Sequence, residues 1–154
     1  MSLQPGASAP DFALPDQHGR TTRLADLLGS GPVVLVFFPL AFSSTCQGEL
    51  GTLRDHSDLF ERAGAQLIGV SVDSKHTLRA WAEREGYAFP LLADFWPHGE
   101  IARAYGAFVA ERGYAARATF VIDRGGVIRS SFATGPAEPR RLEQYRSALA
   151  SLSA

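Results

Sequence analysis

Residues 33–50 read VVLVFFPLAFSSTCQGEL. Val33–Phe38 is β-branched and aromatic and apolar at every position, the pattern of a central strand covered on both faces rather than of a strand with one wet side. Pro39 ends it, because proline cannot donate to a ladder. Further on, Leu50, Leu53, Leu59, Phe60 and Ala63 recur near helical spacing among polar residues, which predicts an amphipathic helix over Thr45–Arg62. Ser44 followed three positions later by Gln47 matches a capping box with Ser44 as N-cap. At this junction of buried strand and helix start stands Cys46, the chain's single cysteine.

Working outward, strand and helix patterns alternate without a linker or internal repeat. Ala9–Leu14 reads as a short edge strand, and Gln17–Gly19 as a turn before a second strand at Thr21–Leu24. Gln66–Asp73 predicts a further strand. Lys75–Glu85 predicts a helix stopped by Gly86. A strand at Phe89–Asp94, a helix at Glu100–Phe108 and a closing helix at Pro139–Leu152 follow. Thr119–Ile122 and Val127–Phe132 flank Arg124-Gly125-Gly126 as a hairpin. Early alternation with a late antiparallel hairpin implies an α/β fold in which a mixed sheet carries helices on both faces.

The totals agree with one soluble domain spanning residues 1–154. A chain of 154 residues can bury roughly 70% of its unfolded surface without a disulfide staple. With 45% hydrophobic and 20% charged residues, disorder and fibrous classes are excluded. A net charge of −1 gives no electrostatic reason to expect nucleic acid or an anionic membrane as partner. The opening MSLQPGASAPDF lacks a basic stretch followed by an apolar core, and no apolar run approaches the ~20 residues a spanning helix needs, so a cytoplasmic location is expected. His18, His56, His76 and His98 have no metal-like spacing, and one cysteine excludes a cysteine-rich zinc site, so neither metal nor cofactor is expected. Gly125-Gly126 is a turn, with no helix start after it to cradle a phosphate.

In the first turn of a helix, unpaired backbone N–H groups and the helix dipole favour an anion, which is where thiols react as thiolates. A lone cysteine is otherwise most often a small buried hydrophobe. Pro39, Ser43 and Cys46 decide between these readings. Their spacing, Pro-x-x-x-Thr/Ser-x-x-Cys, resembles the active-site motif of the peroxiredoxins. The resemblance covers nearly the whole chain, from residues 9–14 (APDFAL) to residues 119–126 (TFVIDRGG). It is closest to the one-cysteine, alkyl hydroperoxide reductase E-like subgroup in residues 37–42 (FFPLAF), 46–50 (CQGEL) and 94–99 (DFWPHG). Ser43 stands where threonine is commoner, keeping the hydroxyl but losing a methyl and a stiffer rotamer.

The resemblance implies a thioredoxin-like fold with an N-terminal β extension and a thiol peroxidase activity. Cys46 would be the peroxidatic nucleophile, Pro39 its shield from water, Ser43 a hydroxyl able to donate and accept, and Arg117 a distant arginine that meets the cysteine in space. Glu49 would support them. The substrates implied are hydrogen peroxide, organic hydroperoxides or peroxynitrite, and the assembly a homodimer. The DFWPHG stretch reads either as the active-site rim or a subunit interface, or as a packed loop. Ionisation alone cannot supply such a rate: an unperturbed thiol is roughly 5–10% thiolate at neutral pH, so full ionisation gains about tenfold. Donors aimed at the developing charge must supply the rest, and the candidates are Arg117, the Ser43 hydroxyl and the Cys46 backbone N–H.

Attack on the peroxide leaves a sulfenic acid. With no resolving cysteine in the chain, its reduction needs an external thiol, either low in molecular weight or on a redoxin, and a narrow pocket open to the sulfur. A dithiol oxidoreductase fails on its missing second cysteine, because residues 46–49 read CQGE. A non-enzymatic thioredoxin-like redox-sensing module that signals through Cys46 is the alternative reading of the same residues.

Overall fold

The computed structural model describes residues 2–153. Five strands form the central sheet: β3 (Val33–Phe37), β4 (Gln66–Ser71), β5 (Leu91–Ala93), β8 (Arg117–Ile122) and β9 (Ile128–Thr134), in the order β5-β4-β3-β8-β9. β3, β4 and β5 are parallel, and β8 and β9 are added antiparallel, so the sheet is mixed as expected. Strand β3 is central and buried at every residue, as its unbroken apolar run requires. The fold is thioredoxin-like, with β1 (Ala13–Pro15) and β2 (Thr21–Arg23) forming the N-terminal β extension.

Alternation along β3 divides the core. Val33, Leu35 and Phe37 pack on one face with Phe120, Ile122, Ala102 and Tyr105. Val34 and Val36 face the other way, toward Leu53, Phe60, Tyr145 and Leu149. The helices that supply these residues are α2 (Ser44–Asp55), α3 (Ser57–Arg62), α5 (Glu100–Ala104) and α6 (Leu142–Ala150), so both faces are covered. Helix α4 (Lys75–Glu85) adds Leu78 and Trp81 to a third cluster with Phe38, Cys46, Leu50, Tyr87 and Leu91. Its ends follow the sequence: the Ser74 hydroxyl accepts from the Thr77 N–H, and Gly86 closes the helix in the left-handed region at φ 71°.

Several boundaries differ from expectation. The single helix over Thr45–Arg62 is two, broken at His56, whose φ of −118° and ψ of 32° are not helical. Polar residues at positions 55–58 give the chain a new start there, while Leu53 and Phe60 on either side still reach the core. A helix α1 (Leu24–Leu28) follows β2 directly, too short for periodicity to reveal. The helix expected to run to Phe108 stops at Ala104. Phe108 belongs instead to a two-residue strand, β6 (Phe108–Val109), paired with β7 (Tyr114–Ala115). The expected β8–β9 hairpin is present, its turn held by the Asp123 carboxylate, which accepts from the Gly125 and Val127 N–H groups at 2.9 and 3.0 Å.

Two glycines give opposite expectations. A Cβ on Gly69, in β4, would lie 2.8 Å from Leu91 Cδ2 and 3.3 Å from Phe38 Cε1, so Gly69→Ala should destabilise by about 1–3 kcal/mol through overpacking. A Cβ on Gly48, inside α2, meets nothing within 4 Å, so Gly48→Ala should stabilise by about 0.5–1 kcal/mol. Urea midpoints of the two variants should move in opposite directions from wild type.

Candidate active site

Chain direction brings the candidate residues to one end of the sheet. β3 delivers Pro39 and the loop 40–43 at its C-terminal end, and antiparallel β8 begins beside it with Arg117. The N-cap of α2 is Ser43, with φ −73° and ψ 144°, not Ser44, and no side chain caps the helix. The expected capping box is therefore absent. The Ser43 carbonyl accepts the first helical bond, from Gln47 N–H at 2.9 Å, and its hydroxyl turns back to donate to the Leu40 carbonyl, also at 2.9 Å. Cys46 is thus the third helical residue, in a first turn whose N–H groups no side chain has occupied.

Pro39, Leu40, Ser43, Ser44, Thr45, Tyr114, Arg117, Pro136 and Ala137 line one concavity of about 250 Å³. Three of the residues expected from sequence, Pro39, Ser43 and Arg117, therefore meet. Cys46 does not line it. The next residue of α2 after Thr45, it has 0% of its surface exposed and packs in the cluster with Phe38 and Trp81. The expected pocket reaching the sulfur is corrected to a pocket that stops short of it, because Cys46 packs into the cluster of Phe38, Leu50 and Trp81, with Ala41 of the loop against that cluster.

Glu49 lies one turn further along α2, on the same buried side. Cys46, Glu49, Leu50 and Leu53 form one buried stripe of α2, and Glu49 is only 4% exposed. Its Oε1 accepts from Arg117 Nη1 at 3.0 Å and from Arg140 Nη2 at 2.7 Å. Its Oε2 accepts from Arg140 Nε at 2.8 Å and from the Arg140 backbone N–H at 2.6 Å. Arg140 thus grips both carboxylate oxygens with a planar fork. Its Nη1 donates to Thr119 Oγ1 at 3.1 Å, and that hydroxyl lies 3.2 Å from the Tyr145 hydroxyl. Arg117 is fixed from a second side by donation from Nε to the Pro136 carbonyl at 2.7 Å, which leaves Nη2 without a hydrogen-bond partner among the described residues.

Burial by itself would raise the Glu49 carboxyl, but the hydrogen bonds and charge of Arg140, joined by the charge of Arg117, hold it below the usual carboxylate range. Burial opposes the Arg140 charge too, and the neighbouring Tyr145 and Glu49 outweigh it and raise the guanidinium above its ordinary value. Two buried cations share one buried anion, so the cluster carries a net positive charge beside the turn that bears Cys46.

Arg140 and Tyr114 were not singled out from sequence. Arg140 lies just before Arg141, the N-cap of α6, outside any periodic pattern, and is one of 14 arginines. The signal that could have found it is indirect: Glu49 falls on the buried stripe of α2, and a carboxylate in that position needs cations from elsewhere. Among the described residues no group of histidine, cysteine and carboxylate side chains could hold a metal ion, and no helix is long and apolar enough to cross a membrane.

A carboxyl held low in the fold stabilises it above its unfolded pKa, about 4.5. That contribution disappears as pH falls through the depressed folded value. Glu49→Gln should therefore cost about 3–5 kcal/mol at neutral pH, having left two buried guanidinium groups facing each other. It should also flatten the loss of stability on acidification. Urea midpoints of wild type and variant between about pH 3 and pH 7 would show both effects.

Comparison with known proteins gives consistent matches. The family model described as AhpC/TSA matches residues 5–131. The chain is 47% identical over 152 residues to alkyl hydroperoxide reductase E of Mycobacterium tuberculosis, covering 99% of both chains. Among solved structures, peroxidoxin BcpB from M. tuberculosis superposes with a TM-score of 0.84 at 31% identity, covering 98% of this chain and 97% of that one. AhpC of Enterococcus faecalis superposes with a TM-score of 0.85 at 30% identity, covering 98% and 92%.

Proposed function

The chain belongs to the AhpC/TSA family, and on that premise we propose how its residues divide the work of thiol-dependent peroxide reduction. The activity is that of a one-cysteine thiol peroxidase, and the relatives, named as reductases and peroxiredoxins, do not favour a purely sensing module. Cys46 is the nucleophile. Its sulfur attacks one oxygen of the peroxide, the O–O bond breaks, and the other oxygen leaves as an alkoxide or hydroxide that takes a proton. The sulfur, oxidised by two electrons, is left as a sulfenic acid.

The observation that carries this reading is the fixed guanidinium of Arg117 in the wall of the concavity beside the only cysteine. Two of its donors are committed to Pro136 and Glu49, so the remainder keep a set direction toward the pocket. Charge arriving on the departing oxygen meets donors that need not reorganise. The Ser43 hydroxyl, anchored on Leu40, presents its oxygen lone pairs to the pocket as acceptors for the peroxide proton. Pro39 is buried and keeps water from the sulfur. Glu49 and Arg140 act on Arg117 and on the turn, not on the peroxide.

Recycling takes an external thiol, low in molecular weight or from a redoxin. Its sulfur attacks Cys46 to form a mixed disulfide with loss of water, and a second thiol then frees Cys46. We read the whole chain, residues 1–154, as a single domain working in the cytoplasm. Its assembly is a homodimer formed through the end of the sheet from which the loops after β3 and β5 emerge. Those loops expose Leu40 (41%), Phe42 (41%), Phe95 (52%) and Trp96 (81%), an unusual concentration of large apolar side chains.

Stopped-flow oxidation tests the assignments. Cys46→Ser should abolish peroxide consumption, and Arg117→Lys, which keeps the charge but loses the planar fork, should slow oxidation about 10²–10³-fold. Ser43→Thr should retain activity where Ser43→Val does not. One equivalent of peroxide should add one oxygen to the intact mass, and a reducing thiol should remove it. A covalent dimer through Cys46 that turns over as such would replace the external-reductant scheme.

A further inference from the structure

Between β3 and α2 the chain crosses residues 39–43, and one of them is held in an uncommon conformation. Phe42 has φ 67° and is the only non-glycine residue of positive φ among the described residues, a region that bulky side chains avoid. Packing within the single chain does not impose it. Leu40 and Phe42 are each 41% exposed, and the Phe42 ring only leans on Trp81, at 6.2 Å between centroids, and on the Arg84 guanidinium, at 5.8 Å. Within the chain, polar ties hold this backbone.

One tie comes from far along the sequence. The Ala41 N–H donates to Asp73 Oδ2 at 2.8 Å, across 32 positions. The same oxygen accepts from the Ser71 hydroxyl at 2.6 Å, and the Asp73 N–H donates back to Ser71 Oγ at 3.2 Å. Ser71 is fully buried and is the last residue of β4, the strand paired with β3. The carboxylate is thus fixed on the sheet before it reaches the loop. Ala41 lies between Leu40, whose carbonyl receives the Ser43 hydroxyl, and the strained Phe42.

We propose that Asp73 is a positioning residue for peroxide reduction: held by Ser71, its carboxylate pins Ala41 N–H and so maintains the Leu40–Ser43 turn above Cys46. It touches none of the reacting atoms. It acts through the direction of the Ser43 hydroxyl and through the cover that keeps the sulfur enclosed. This inference rests on the peroxidase reading above. It also predicts a split that loss of fold would not give, because peroxide reduction needs the turn in place, whereas attack on the sulfur by a bulkier reagent is helped when the turn loosens.

The test compares wild type with Asp73→Ala, Asp73→Asn and Ser71→Ala. Two rates are measured in each reduced protein: oxidation by hydrogen peroxide in stopped flow, and alkylation of Cys46 by iodoacetamide. Asp73→Ala should oxidise about 10- to 100-fold more slowly while alkylating at least as fast as wild type. Asp73→Asn should recover most of the oxidation rate. Its amide oxygen can take both bonds made by Oδ2, and its NH₂ would replace Oδ1, which has no hydrogen-bond partner among the described residues. Ser71→Ala, which leaves the carboxylate in place but loosens it, should show a smaller split of the same sign, and it carries the test if Asp73→Ala does not fold. Wild-type oxidation rates in Asp73→Ala, or in Ser71→Ala should that variant alone fold, would overturn the assignment. So would a parallel fall of both rates that asparagine does not rescue. A wild-type chain that leaves peroxide unconsumed would instead overturn the peroxidase reading, and this inference with it.

Discussion

A single buried carboxylate, Glu49, holds together the parts of this molecule that chemistry would use. It lies on α2 and receives Arg117 from the start of β8 and Arg140 from the segment before α6, so one side chain fastens three elements that are distant in sequence. Burying three charged groups costs several kcal/mol per ion, and well-packed apolar residues of similar volume would serve stability as well or better. What apolar packing could not supply is direction. The two arginines enter Glu49 from different elements, and their donors fix the carboxylate, which in turn fixes Arg117 in the wall of the concavity.

The sheet makes that convergence possible. Because β8 runs antiparallel to β3, the first residue of β8 lies at the end of the sheet where β3 finishes, and Arg117 is delivered next to the loop leading to Cys46. The direction of β3 fixes which end of the sheet that is. Enclosure of the sulfur follows from the same arrangement. The face of α2 that carries Cys46 also carries Leu50 and Leu53, so the residue cannot turn outward without withdrawing apolar surface from the core.

Much of this was legible in the sequence where the physical signal is local. The run at Val33–Phe38 specified a doubly covered strand, Gly86 marked the end of α4, and Pro39 and Ser43 of the Pro-x-x-x-Ser-x-x-Cys spacing fall, with Arg117, in one concavity. Elements of one turn or two residues escaped, because α1 and the β6–β7 pair are shorter than any period that could announce them. The cap was misread by one position for a different reason. Ser44–Gln47 is a valid capping pattern, but here the donors of the first turn are left open and the neighbouring hydroxyl of Ser43 is turned onto Leu40. Arg140 was hidden because its partner is 91 positions away, beyond the reach of any local pattern.

The shared carboxylate also bears on how such a sequence can drift. Changing residue 49 alone leaves two buried guanidinium groups without their anion, and changing residue 117 or 140 alone removes part of the hydrogen bonding that holds the carboxylate, so each single step costs stability. A coordinated change of all three could restore a sound core, yet the route to it crosses a deep valley of fitness. Exposed arginines such as Arg62 and Arg79, whose partners lie one helical turn away on the surface, face no such barrier and can be exchanged one at a time. Within one chain, the buried trio is therefore held by mutual dependence, while surface arginines such as Arg62 and Arg79 can vary singly.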